Sequence, residues 1–522
     1  MRVVIRVDAS LQIGSGHVMR CLTLAQTLKN NRFEVVFICR KLHGHLIEKI
    51  AREGFHVHEL SAHNKKNNID SKLDHSHWLE VTQKNDADDC ITILNNEEFD
   101  WLIVDHYALD HEWQNCLKPH YKRLMVIDDL ADRNHQCDIL LDQTYGRIEK
   151  DYLNRIPMNG QLLLGSKYAL LRPEFSDFRI SSLKRRTNST LNNLLINMGG
   201  IDIENVTEEI LDHLKASNLG KELNITIVMG IHSPHLESIK IKASELSQNT
   251  KLLVDVQNMA EIMADADIAI GASGSTTWER CCLGLPSIQI AISKNQKHLA
   301  QMLADKNVIR LVKEIKEIIN LLESAPTWMN NTGSLAAEIC DGAGSNRVFN
   351  KMTNRGVTLK DFGEIILCNY TNLNRNDISL ALEMRNHEKI RAWMYHQNLI
   401  LKDEHLNFIA NLETDTEKRY FLVKQKDAVI GSINFSKIRY GSSVDFGIYI
   451  NPFIKTKGLG ILLESAASDY AFNELDVEKI NLEVFEHNKK AINFYKRCGF
   501  NFINSTIIED QTIICMEKKR FK

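Results

Sequence analysis

Charge of one sign, paired cysteines and long apolar runs are all missing from this 522-residue sequence, and each absence removes a class of function. With 64 Lys and Arg against 67 Asp and Glu, the formal net charge is only −3. No polycationic face follows from that balance, and no nucleic-acid partner is expected. No uncharged apolar stretch reaches the roughly 18–20 residues needed to cross a bilayer, so no membrane partner is expected either. The chain passes from Met1 straight into strand-like sequence at 2–7, without the apolar core and small-residue cleavage site of a secretion signal, and a start at Met1 is expected. Eleven cysteines are spread from Cys21 to Cys515 with no CxxC pair, Cys281 and Cys282 being adjacent. That spacing suggests neither a disulfide framework nor a zinc site, and reduced thiols in a cytoplasmic protein are the simplest expectation.

What is present looks globular. Apolar residues make up 43% and charged ones 25%, the mix of a soluble chain with buried cores, and the length calls for about three domains. In the first 170 residues, short apolar runs at 3–7, 34–38, 101–104, 124–127 and 139–141 alternate with longer amphipathic stretches, as buried parallel strands and helices do. The polar stretch 61–89 interrupts them and reads as a surface loop and helix. Its His63, His75 and His77 have the chemistry of metal ligands, but no Cys, Asp or Glu spacing supports a closed site. A second set of runs, at 194–198, 225–229, 251–254, 268–271 and 287–292, follows a basic segment at 181–192. Two α/β regions, 1–180 and 181–345, each opening with a strand and a glycine-containing turn, predict two doubly wound domains with substrate in the cleft between them. Gly342 to Ser345 closes this region, and 346–360 reads as a linker. From 361 to 522 helical segments at 377–398 and 402–412 precede strands at 420–423, 428–435 and 444–450, an α+β pattern.

Two turns in the first region carry chemistry. Gly14-Ser15-Gly16-His17 joins the first strand to a helix at 18–28. Glycines allow a tight turn, and a helix N-terminus presents free N–H groups to a phosphate or sugar oxygen. The same positive end favours a neutral imidazole at His17, which suits a general base; the plainer alternative is that His17 caps the helix or packs in the cleft. After the run at 268–270, Gly271 to Arg280 concentrates Gly, Ser and Thr at the start of another helix, where amides and hydroxyls hold a diphosphate, and Glu279 can accept from the two ribose hydroxyls. Ordinary Ser and Thr N-caps would explain the helix but not the density of small residues. Met198-Gly199-Gly200 is a weaker turn of the same kind.

Arg6 to Ser10, Ile13 to Arg20, Val104-Asp105-His106-Tyr107, Ile127-Asp128-Asp129, Asn197 to Gly200 and Gly271 to Pro286 together resemble the UDP-sugar hydrolases of pseudaminic acid synthesis. Those enzymes are relatives of the lipid II glycosyltransferase and share its two-domain Rossmann-like fold, GT-B. The resemblance covers about residues 1–345. It implies release of UDP from UDP-2,4-diacetamido-2,4,6-trideoxy-β-L-altropyranose by water at the anomeric carbon, with His17 as the base. It places Asp105 and Tyr107 on the sugar side and Ser275, Thr276 and Glu279 on the diphosphate and ribose, with Asn295 as a pyrophosphate or sugar contact, while the turns Gly14-Ser15-Gly16 and Gly199-Gly200 are binding turns for a phosphate or sugar oxygen. A UDP leaving group needs neither strong acid catalysis nor a metal, and none is expected.

In the last domain, Lys455-Thr456-Lys457-Gly458-Leu459-Gly460 has the spacing of the pyrophosphate turn of GNAT acetyltransferases, Gln/Arg-x-x-Gly-x-Gly/Ala. Backbone amides there face coenzyme A at a helix start. Asn481 to Val484, Asn488, Ala491 and Phe494 to Phe500 resemble the later strand, helix and turn of that superfamily. Lys455 departs from the pattern: it keeps the charge but lacks the planar fork of arginine. The resemblance implies acetyl-CoA as co-substrate, contacts from Lys455, Lys457, Gly458, Leu459, Gly460 and Asn488, and Tyr495 as the acid that protonates the departing thiolate, against the alternative of a packed aromatic. Glu483 and ordered water are candidates for the base. Met384 to Asn386, Arg391 to Met394 and His405 are similar to the amino-sugar acetyltransferase of the same pathway, with UDP-4-amino-4,6-dideoxy-N-acetyl-β-L-altrosamine as acceptor. Arg391, Trp393 and His405 would then shape the sugar or nucleotide pocket, with Trp393 equally readable as a core residue. The expectation is a bifunctional enzyme, with a GT-B glycosyltransferase or a silent nucleotide-sugar-binding region as the rivals for residues 1–345.

Overall fold

The computed structural model describes residues 1–62, 73–95, 97–158, 160–187, 190–217, 219–246, 248–292, 294–353, 355–359, 363–373, 375–425, 428–508 and 510–520, with backbone alone at 294–295, 355–359, 363–364 and 375. The chain divides into two compact units, Met1–Ser345 and Asn346–Lys522.

The apolar runs of the first unit are strands. β1 (Arg2–Val7), β2 (Glu34–Arg40), β3 (His56–Leu60), β4 (Phe99–Asp105), β5 (Tyr121–Ile127), β6 (Ile139–Asp142) and β7 (Gln161–Leu164) form one sheet in the order β3-β2-β1-β4-β5-β6-β7. Every pair is parallel, and burial on both faces is why the strands read as continuous apolar runs rather than alternating ones. Two arginines interrupt that pattern. Arg6 and Arg40 are wholly buried, and they are tolerated because carboxylates meet them: Arg6 donates to Asp8 at 2.6 Å and to Asp86 at 2.7 Å, and Arg40 donates to the same Asp86 oxygen at 2.7 Å.

β8 (Asn193–Asn197), β9 (Asn224–Met229), β10 (Asn249–Val254), β11 (Ile268–Ala272), β12 (Ser287–Ile290) and β13 (Arg310–Val312) form a second all-parallel sheet, ordered β10-β9-β8-β11-β12-β13. This is the 3-2-1-4-5-6 order of a doubly wound domain, and its switch point lies between β8 and β11; in the first sheet it lies between β1 and β4. Ligands of such sheets sit beyond the carboxyl ends of the strands at that point.

The second unit is built on one mixed sheet of β14 (Arg355–Leu359), β15 (Gly363–Asn369), β16 (Arg419–Gln425), β17 (Ala428–Arg439), β18 (Ser443–Ile450), β19 (Lys479–Phe485), β20 (Asn501–Ile508) and β21 (Gln511–Lys519), in the order β14-β15-β16-β17-β18-β19-β21-β20. All neighbours are antiparallel except β18 and β19, whose parallel register covers only Ser443 to Asp445 against Lys479 to Asn481. Past those pairs the two strands part. The helix Leu459–Asp469 buries Leu459, Leu462, Leu463, Ala466 and Ala467 against the sheet.

Two expectations need correction here. Residues 346–360, read as a linker, hold most of the helix Gly344–Met352 and all of β14. The segment is instead packed: Val348, Phe349 and Met352 are buried, Arg419 stacks over Phe349 at 5.4 Å, and Arg347 pairs with Glu413 at 2.8 Å. The long helix expected at 377–398 stops at Asn386, and a short helix, Glu388–Arg391, follows. Asn386 ends it by closing a loop: its side chain accepts from the Ile400 amide and donates to the Ile400 carbonyl, each at 2.9 Å.

Candidate active sites

In the first unit a cavity of about 1180 Å³ opens beyond the carboxyl ends of the strands of both sheets. Its walls include the turn after β1, with Gly14 and Ser15, the turn after β8, with Gly199 and Gly200, and the helix after β11, with Thr276 and Glu279. The local chain explains each turn. Ser10 Oγ accepts from the amides of Gln12 and Ile13, the Ser10 carbonyl accepts from Gly14 N–H at 2.8 Å, and Gly14 takes φ +79°. Gly199 takes φ +102°, a conformation that disfavours any side chain. The regions 1–180 and 181–345 meet at these turns: a Cβ built on Gly16 would lie 3.7 Å from Ser275 Oγ. Gly230, which the sequence reading passed over, is required by the same packing, because a Cβ there would come within 2.3 Å of the Gly200 carbonyl oxygen.

His17 stands in the first turn of the helix Gly16–Asn30, 8% exposed, between Ser15 and Met19, which line the cavity. Its Nδ1 is 2.6 Å from Asp105 Oδ1. A carboxylate can only accept, so Nδ1 carries the hydrogen, and in the neutral ring the lone pair is on Nε2. Asp105 was expected on the sugar side of the cleft. It is instead wholly buried at the end of β4 beneath His17, because Arg20 grips it from the same helix, Nε to Oδ2 at 2.6 Å and Nη2 to Oδ1 at 2.7 Å. Burial would raise its carboxyl, but the Arg20 guanidinium and then the adjacent His17 outweigh that and hold it well below the usual carboxylate range. Tyr107, 7% exposed, has its ring edge-on to His17 at 4.6 Å and its hydroxyl donating to Asp129 at 2.9 Å. Burial, then the Asp129 charge, pushes its phenol well above the ordinary value, so Tyr107 buttresses the imidazole rather than facing the open cavity. Trp78, stacked on Tyr107 at 5.6 Å, and His75, 4.6 Å from Trp78, both line the cavity. His63 lies outside the described residues, and among the described residues no group of three or more His, Cys, Asp or Glu is placed to hold a metal.

Across the cavity, Ser275 is exposed at the start of the helix Thr276–Cys282. Glu279 is half-buried one turn further along, where burial pushes its carboxyl up to about 7, with Arg172 opposing that rise. The side chain of Asn295 lies outside the described residues.

In the second unit, Gly458 takes φ +86° as the N-cap of the helix Leu459–Asp469, and a Cβ built there meets nothing within 4 Å. The turn is open to solvent, with Lys455 and Lys457 exposed beside it and Leu459 buried beneath. A Cβ on Gly460 would touch Phe494 at 3.3 Å, which brings this turn against the helix Lys489–Arg497. Asn488 caps that helix, its Oδ1 accepting from Ala491 N–H at 3.1 Å. Tyr495 packs edge-on to Phe446 of β18 at 6.2 Å, beside the place where β18 and β19 part. Burial, then Cys498 and Glu464, raises its phenol, so the hydroxyl keeps its proton. Glu483 of β19 accepts from the Tyr395 hydroxyl at 2.5 Å, a contact the sequence reading did not foresee. Trp393, 44% exposed, lies 5.5 Å from His487, and Arg391 donates to the Gln397 carbonyl at 3.1 Å. His405, expected in a pocket, is buried against Tyr370 at 6.4 Å.

Two doubly wound domains sharing a cleft lined by glycine turns, followed by a mixed sheet parted beside a glycine-capped helix, define a GT-B unit joined to an acetyltransferase unit. Residues 194–338 match the Glycosyltransferase family 28 C-terminal domain, and residues 384–500 match the Acetyltransferase (GNAT) family. The UDP-2,4-diacetamido-2,4,6-trideoxy-beta-L-altropyranose hydrolase of Campylobacter jejuni is 29% identical over 306 residues, 59% of this chain and 97% of that protein. Acetyltransferase PseH of the same organism is 35% identical over 158 residues, 30% of this chain and 97% of that protein; its crystal structure with acetyl coenzyme A covers 30% of this chain and 99% of that one, with 32% identity and a TM-score of 0.25. An uncharacterized protein of Methanocaldococcus jannaschii is 24% identical over 508 residues, 96% of each chain. The chain therefore belongs, through its second unit, to the GNAT acetyltransferase family in the branch that contains PseH, and joins to it a relative of the hydrolase.

Proposed function

We propose that the protein is a bifunctional enzyme of pseudaminic acid synthesis: the second unit N-acetylates UDP-4-amino-4,6-dideoxy-N-acetyl-β-L-altrosamine from acetyl-CoA, and the first hydrolyses the product to UDP and 2,4-diacetamido-2,4,6-trideoxy-β-L-altropyranose. The observation that carries the hydrolytic half is the 2.6 Å bond from His17 to buried Asp105. It leaves Nε2 as a proton acceptor in the first turn of a helix that starts at the cavity. Water gives a proton to Nε2 as its oxygen bonds to the anomeric carbon, the bond from that carbon to the diphosphate oxygen breaks, and UDP leaves with the electron pair. The turn with Ser275 and Thr276 supports the diphosphate, and Glu279 accepts from the ribose hydroxyls.

In the second unit the 4-amino group, in its neutral form, attacks the thioester carbonyl, and the thiolate leaves as it takes the Tyr495 proton. Glu483, held by Tyr395, stands on the strand beside the gap as a candidate to receive the amine proton. Incubation with the UDP-4-amino sugar and acetyl-CoA, followed by mass and NMR identification of the sugar, is expected to give the free 2,4-diacetamido sugar with one UDP and one free thiol per turnover. Tyr495→Phe is expected to lower thiol release by about 10²-fold while hydrolysis of the preformed diacetamido substrate continues. UDP release that requires an added sugar acceptor would instead identify a glycosyltransferase.

Glu279 makes UDP binding pH-dependent. A carboxyl that must be ionised to accept from both ribose hydroxyls, and that titrates near 7 in the free protein, has to lose a proton on binding at lower pH. The Kd for UDP therefore rises toward about tenfold per unit below pH 7. The UDP phosphate titrates near pH 6 as well, so calorimetry from pH 5.5 to 8.5 is read as the difference from Glu279→Gln. Identical slopes in the two proteins would remove Glu279 from the ribose site.

A further inference from the structure

Arg20 is three residues from His17 on the same helix, and therefore on the same face. Its guanidinium is 7% exposed and every nitrogen is engaged. Nε and Nη2 hold the two oxygens of Asp105 at 2.6 and 2.7 Å, and Nη1 pairs with Asp129, whose same oxygen accepts from the Tyr107 hydroxyl at 2.9 Å. Asp105 Oδ1 is thus shared between Arg20 Nη2 and His17 Nδ1. The 3.3 Å approach of Arg20 Nη2 to His17 Nδ1 joins two donors and is no hydrogen bond.

We infer that Arg20 is the positioning residue of the hydrolytic site: it locks Asp105 so that one oxygen is aimed at His17 Nδ1, and it supplies the cation that Asp105 and Asp129 are paired with, so that the imidazole need not. This rests on the reading of His17 as the base. A planar fork that spans three acceptors does what a lysine cannot, because an ammonium is a point charge without a fixed donor geometry. The groups that face the imidazole from the surrounding elements are Asp105 on β4, Tyr107 after it, Trp78 from the segment before the helix Gln83–Leu94, and Arg20 itself, with Asp129 after β5 one contact further out. Arg147 donates to the Asp129 carbonyl at 2.6 Å and pairs with Asp142, so the Asp129 side chain keeps Arg20 as its cation.

Two substitutions separate geometry from charge. Arg20→Lys keeps a cation between the two carboxylates but loses the fork. It is expected to lower kcat for UDP release by about 10²-fold, with Kd for UDP unchanged and the acid limb of the pH profile in place. Arg20→Met removes the cation as well, leaves two carboxylates whose nearest cation would be a protonated His17, and is expected to move the acid limb upward by about one pH unit or more. Arg20→Met combined with Asp129→Asn removes one of those carboxylates and is expected to return the limb part of the way. Each preparation is first tested for UDP binding, which the β8 to β13 sheet supplies and which reports folding of the unit.

A scaffold role alone would lower activity and UDP binding together in every variant with no movement of the limb, and that result overturns the inference, as does Arg20→Lys with wild-type kcat. Should Arg20→Met fail to bind UDP, the decision rests on Arg20→Lys and on the double variant, whose net charge at the site is that of the wild type. If His17→Ala itself releases UDP at the wild-type rate, it is the assignment of the base that has failed, and the Arg20 variants are then read on UDP binding alone.

Discussion

Replacing His17 with alanine is expected to slow acceptor-independent UDP release by about 10³-fold, a loss of about 4 kcal/mol of transition-state stabilisation. In the proposed arrangement UDP is held across the cavity by the turn of Thr276 and Glu279, away from His17, so the effect should fall on kcat. The ground-state complex therefore loses little. Acetyl transfer in the same preparation should continue at its ordinary rate, since Tyr495 and the Gly458 turn belong to a separate compact unit. The pH profile supplies a second check. With the imidazole gone, residual release should lose its acid limb, because no proton acceptor remains to be blocked. Retention of wild-type UDP release in His17→Ala would exclude water activation by this residue and would favour the silent-binding alternative if UDP still bound.

The features legible in the sequence are those that rest on neighbours along the chain. Continuous apolar runs located the parallel strands because burial on both faces leaves no alternation to misread. Glycine-rich turns before helices marked the walls of the cavity, and Gly14, Gly199 and Gly458 do take positive φ. What the sequence concealed depends on partners far away in the chain. The resemblance put Asp105 on the sugar side, whereas the 85 positions between it and Arg20 hid the pair that buries it. Arg6 in the middle of an apolar strand has its partner Asp86 80 positions later, and nothing local announces it. The supposed linker hid its packing for the same reason, because the groups that Arg347 and Lys351 meet, Glu413 and the Thr371 carbonyl, are contributed by later parts of the unit. Trp78 and Gly230 followed no motif, and only folding brought them to the cavity.

The second unit offers an equally large effect at a single backbone position. Gly458 sits at φ +86°, and its carbonyl accepts from the amides of Ile461 and Leu462 at 3.1 and 3.2 Å. The amides of Leu459 and Gly460, which have no carbonyl before them in the helix, are left to face an anion. Gly458→Asp should oppose that in two ways. A side chain in the left-handed region costs about 1 kcal/mol, and a carboxylate about 5 Å from a phosphate at an effective dielectric near 20 adds about 3 kcal/mol of repulsion. Together these amount to about 10³-fold in the affinity for acetyl-CoA, measured as KM under conditions of slow chemistry or directly by calorimetry. Gly458→Asn separates the two contributions. Asparagine has nearly the same shape, visits the left-handed region more readily than most residues and carries no charge, so it should cost only a few-fold. The gap between the Asp and Asn variants is electrostatic at an exposed turn, and raising the salt concentration should narrow it. If both variants bind acetyl-CoA alike, or if neither differs from the wild type, the pyrophosphate does not lie at Gly458, and the exposed Lys455 and Lys457 lose their reason for facing solvent there.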